Sequence, residues 1–233
     1  MGLGLAPGDI TLPRLCSPFE LGLGPGASLK FVVMFNPPAA LALDWALMIA
    51  AMMPPLVIAS LRHIGDRSFA RRRWRAMTLF GAGYAIVWMA AGTALLPLAL
   101  VCRFAARETL LPLASGAAVA FAWQISPAKQ WCLNRCHRRP ALAAFGVAAD
   151  RDAFAFGLSQ GVWCVGACWA LMMVPLLSGQ AHLLAMMAVA LLLTAERIEP
   201  PAAPGWRFQP PSKALRIAVA QLRMRFKGSA QTR

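Results

Sequence analysis

Long apolar runs constrain this chain more than any other feature. Residues 38 to 61, 77 to 102 and 153 to 177 each exceed the roughly 20 residues a helix needs to cross the hydrocarbon, with a single charge, Asp44, among them. Inside lipid every backbone N–H and C=O must be paired within the segment, so such runs span as helices. Two shorter runs, 109 to 125 and 181 to 195, bring the expected number of crossings to five. The expected fold class is therefore all-α, a polytopic membrane helix bundle.

Composition agrees with that class. Hydrophobic residues make up 59% of the 233, mean hydropathy is +0.57 and charged residues reach only 14%, against about a quarter in soluble domains. The 23 Lys and Arg outnumber nine acidic residues to give a net charge of +14. Those basic residues sit in short loops between apolar runs, where they act as topology signals and contacts for anionic headgroups and not as a nucleic-acid face.

The loop charges give an orientation. From the N-terminal tail through the four loops to the C-terminal tail, Lys and Arg number 2, 6, 2, 5, 0 and 8. Alternate segments thus carry 19 on one side and 4 on the other, the asymmetry the positive-inside rule requires of five crossings. The N-terminus is expected outside and the C-terminus in the cytoplasm. Because MGLGLAPGDITLPRL lacks a basic leading segment and a compact apolar core, no cleavable signal peptide is expected. Residues 1–36 read as a Gly/Pro-rich extramembrane tail, 37–198 as the five-helix membrane domain, and 199–233 as a Pro-rich linker and basic cytoplasmic tail. In that tail Leu215, Val219, Leu222 and Phe226 share one helical face, and Lys213, Arg216, Arg223 and Lys227 another, which is the pattern of an interfacial amphipathic helix.

Four of the six cysteines form two pairs, Cys132 with Cys136 and Cys164 with Cys168. Four-residue spacing stacks both sulfurs of a pair on one helical face, and Met172 extends the second stripe. Met48 and Met52 lie at similar depth in the first span. Soft sulfur ligands of this kind suit Cu(I) first and Zn(II) second. Cys132, Cys136 and His137 fall at the cytoplasmic edge beside Lys129, Arg135, Arg138 and Arg139, where positive neighbours should lower thiol pKa values and make these cysteines the more reactive pair. The same residues also read as packing: small soft side chains fit well between membrane helices. His182, Met186 and Met187 mark a possible outer site, Asp44 an intramembrane acid in want of a partner, and Gln124 and Gln160 interhelical hydrogen-bond donors.

WQISPAKQWCLNRC, the later CVGACWALM and the earlier AAMMPP together resemble a bacterial family of predicted metal-binding integral membrane proteins, domain of unknown function 2182. The resemblance covers about residues 40 to 198, including RHIGDRSFARRR and the pair Glu196-Arg197. It implies a multi-helix membrane protein of the bacterial inner membrane that binds metal, with no named activity. Pro127, Lys129, Cys132 and Cys136 match its first motif; Cys164, Cys168, Trp169, Leu171 and Met172 match its second. Family members often carry two adjacent cysteines before that tryptophan, whereas this chain has Ala167 and Cys168, so the site is weaker here or completed by Met.

The expectation is a membrane protein that binds and hands on a soft metal ion through Cys164, Cys168, Met172, Met48 and Met52, with Cys132, Cys136 and His137 as a cytoplasmic relay to a metal-handling partner. The alternatives are a membrane scaffold without metal and a thiol redox protein acting at Cys132 and Cys136. No catalytic constellation is present.

Overall fold

The computed structural model describes residues 38–105, 110–208 and 210–231. All regular structure in them is helical. The expected N-terminal tail, 1–36, lies outside the described residues.

Among the described residues eight α-helices follow in order: α1 Pro38–Met52, α2 Pro54–Arg67, α3 Arg73–Ala105, α4 Leu110–Gln124, α5 Pro127–Cys136, α6 Gly146–Leu177, α7 His182–Ile198 and α8 Ser212–Gln231, with one 3₁₀ turn at Gly179–Ala181. Helix α6 is the hub, packed against α3, α4, α5 and α7. Its contact with α3 is at backbone distance: a Cβ on Gly83 would stand 2.6 Å from the Phe154 carbonyl oxygen. Only glycine allows two helices to approach so closely. Around this pair the core gathers Trp45, Met52, Trp88, Cys164, Met172 and their neighbours.

Helices α3 and α6 are long and apolar enough to cross a membrane. The first expected span, 38 to 61, is not one helix. It breaks at Met53 into α1 and α2, bent by 69°, and the pair qualifies together as a broken span or a re-entrant turn. Adjacent Pro54 and Pro55 explain the break: neither has an N–H to continue the ladder, and each ring collides with the preceding turn. Single prolines are tolerated, as Pro97 within α3 and Pro175 within α6 show. The described parts of α4 and α7, 15 and 17 residues long, fall short of the roughly 20 needed.

The basic connections gather at one end of the bundle. Arg72 Nη2 and Arg75 Nη2 each meet the Asp150 carboxylate at 2.7 Å, and Phe69 stacks on Phe145. On the same side His63 Nε2 lies 3.0 Å from the Pro140 carbonyl oxygen, and Asn134 Nδ2 donates to the Ala202 carbonyl at 2.7 Å. The segments that follow α2, α5 and α7 are thus tied together. Helix α8 covers the segment expected to be amphipathic, its first N–H groups donating to Glu199. A carboxylate there also suits the positive end of the helix dipole. Leu215 and Val219 are exposed, while the side chains of Leu222, Arg223, Phe226 and Lys227 lie outside the described set.

Candidate metal centre

The segment after α4 is a further helix, α5. Ser126 caps α5, its Oγ accepting from Lys129 N–H at 3.2 Å, and Pro127 occupies the first turn, where a missing N–H costs nothing. Instead of leading away from the bundle, α5 folds back along α6. Cys132 Sγ sits where a Cβ on Gly166 would be 2.7 Å away, so α6 needs a glycine at that position. One turn on, Gln160 Nε2 donates to the Cys136 carbonyl at 3.3 Å. Gln160 therefore is an interhelical donor, and so is Gln124, which donates to Glu196.

The consequence is that the two cysteine pairs are one neighbourhood. Cys136, Cys164 and Cys168 are all buried in the same core, and all of the described cysteines, these three with Cys102 and Cys132, are free thiols. Cys164 Sγ and Cys168 Sγ lie 4.0 Å apart. With metal–sulfur bonds of about 2.3 Å, two sulfurs on one ion stand about 3.8 Å apart at tetrahedral angles, 4.0 Å at trigonal angles and 4.6 Å in a line. The observed spacing falls within that range without backbone movement. Met48, Met52 and Met172 are buried in the same core and bring thioether sulfur to it. Among the described residues no group of three or more His, Cys, Asp or Glu is close enough to hold a metal, so the sulfurs set at ligating distance are the two thiols of Cys164 and Cys168.

Cys164 is surrounded by donors. Tyr84 Oη donates to its sulfur at 3.2 Å and Arg197 Nη2 at 3.7 Å. The indole N–H of Trp88, fully buried in the same core, has no hydrogen-bond partner. Neutral thiol sulfur is a weak acceptor, so this arrangement is matched to a thiolate. The sequence singled out the cysteines but not these donors: Tyr84 and Trp88 sit one turn apart in an aromatic-rich run of α3, which could have hinted at a shared face.

The expected reactivity of Cys132 and Cys136 is reversed. Cys136 is only 2% exposed, and burial pushes its thiol up to about 12 against the pull of Arg197. Burial also raises Cys132, with Arg135 opposing. The basic neighbours are engaged elsewhere: the Arg135 guanidinium lies over the Trp131 and Trp163 rings at 4.1 and 4.7 Å, and Lys129 Nζ pairs with Glu196 at 2.7 Å. His137 is not aimed at the thiols; its Nδ1 lies 2.9 Å from the Leu133 carbonyl oxygen and its Nε2 3.2 Å from that of Arg197. His182 Nδ1 is likewise taken up by the Pro175 carbonyl at 2.8 Å. Asp44 Oδ2 is buried without a hydrogen-bond partner.

No curated protein and no solved structure matches the chain. A family model does, over residues 42–215, that is, from the first turn of α1 into α8. That stretch takes in all four paired cysteines, the methionines of α1 and α6, and Arg197. Where the resemblance read from the motifs implied a metal in general, this match specifies copper. Since its description is that of a carrier, the chain is a non-enzymatic, metal-handling protein: it belongs to the PpoB2 family of copper chaperones.

Proposed function

We propose that this protein is a multi-pass protein of the bacterial inner membrane that takes up Cu(I) on Cys164 and Cys168 and passes it to a metal-handling partner. The observation that carries the reading is the donor-ringed thiol pair, 4.0 Å apart and fully buried. Soft thiolates select Cu(I) over harder ions. Removing their protons inside the hydrophobic core is costly unless a cation takes the protons' place, and Cu(I) is that cation. Met172 and the α1 methionines Met48 and Met52 complete the soft shell, which answers the loss of a thiol at Ala167. Cys136 and Cys132, adjoining the pair from α5, form the path by which copper arrives from or leaves to the cytoplasmic end.

The orientation proposed is five crossings with the C-terminus in the cytoplasm, supported by the charge alternation and by the meeting of the basic connections at one end. Zn(II) is the less favoured cargo because two thiolates and thioethers leave it short of four hard or borderline donors.

Elemental analysis tests the proposal. Protein purified in detergent without a His tag, with copper and zinc both available, is expected to carry about one copper per chain. The Cys164→Ala, Cys168→Ala double variant should carry almost none while remaining folded. Equal copper in both would remove the pair from the site. Copper in neither folded protein would favour the packing role, in which these side chains only join helices.

A further inference from the structure

The guanidinium of Arg197 has no role in the family description or in the ligand set. It belongs to the last turn of α7, yet its side chain reaches across to the thiols of Cys136 and Cys164. Nε and Nη1 are buried and have no hydrogen-bond partner. Glu196, the adjacent carboxylate, is committed to Lys129. A permanently charged group buried without a carboxylate is expensive, so its counter-charge must come from what the thiols become.

We infer that Arg197 is the counter-cation of the copper-loaded site and sets its preference for a monovalent ion. The charge balance is simple. Cu(I) replacing the two thiol protons of Cys164 and Cys168 gives a bis-thiolate complex of charge −1 and releases two protons; with the guanidinium the buried site is neutral. Zn(II) on the same two thiolates is already neutral, and the guanidinium then leaves the site at +1. Arg197 thus discriminates by charge where sulfur softness alone would tolerate several ions. Copper bound to the pair is the premise of this inference.

The test compares Cu(I) and Zn(II) affinity, by competition with chromophoric chelators, in the parent, Arg197→Gln, Arg197→Lys and Cys164→Ala, Cys168→Ala proteins. Arg197→Gln is expected to lose about a hundredfold in Cu(I) affinity, the scale of one close buried charge, with Zn(II) affinity unchanged or raised. Arg197→Lys should recover most of the Cu(I) affinity, which a purely structural guanidinium would not allow. If Arg197→Gln binds Cu(I) like the parent while the double cysteine variant does not, the inference on Arg197 is overturned and the thiol site stands. Loss of both metals equally in Arg197→Gln, without rescue by Lys, also overturns it. Should the parent and the cysteine variant bind Cu(I) alike, the site itself is wrong and Arg197 falls with it.

Discussion

The Cys136 thiol lies in the core of the bundle, only 2% exposed. Burial dominates over the pull of Arg197, so the thiol stays protonated with its value pushed up to about 12. We expect maleimide at neutral pH to modify Cys136 slowly in the folded protein and rapidly after denaturation, read by mass spectrometry; rapid labelling of the folded chain would restore the reactive pair. The same shift has a sign for stability. A thiol raised in the folded state binds its proton more tightly there, so its contribution is full below the ordinary value of 9 and is lost as pH climbs towards 12. The four cysteines and their spacing were legible in the sequence. That Cys136 would join Cys164 in one core was not, because it depends on α5 turning back, and Arg197, in the last turn of an apolar helix, reads as a topology charge until its side chain is placed.

At the level of elements α5 and α7 are latched together beside the proposed centre. Lys129 and Glu196 form a 2.7 Å ion pair with both side chains nearly inaccessible; Gln124 joins it from α4, and His137 ties α5 to the backbone of Arg197. Breaking such a pair by removing one partner costs about 3–5 kcal/mol, because the other charge is left buried. Lys129→Met should therefore lower thermal stability in detergent sharply, and Lys129→Met with Glu196→Leu should recover much of it; equal stability of Lys129→Met and the parent would show the latch to be idle. The sequence carried part of this. Ser126-Pro127 was legible as the end of one helix but equally begins the next, as cap and first turn. Pro54-Pro55 was legible as prolines within a span, yet two in succession break α1 from α2 where the lone Pro97 and Pro175 do not, since a single missing hydrogen bond is absorbed by neighbouring turns.

For the molecule as a whole, the helical class follows from the apolar runs, while the number of crossings does not follow from length alone: α3 and α6 qualify singly, α1 and α2 only as a bent pair, and α4 and α7 are short. The charge alternation predicts that reporters fused near residue 70, near residue 142 or at the C-terminus report cytoplasm, and that one fused near Gly179 reports the outer side. Cytoplasmic signal at Gly179 would contradict five crossings. If copper is carried as Cu(I) by thiolates where α5, α6 and α7 meet, copper K-edge absorption on the loaded protein shows a Cu(I) edge and a first shell of two or three sulfurs that is lost in the Cys164→Ala, Cys168→Ala variant. A shell dominated by nitrogen or oxygen, or one unchanged in that variant, would rule the thiolate site out.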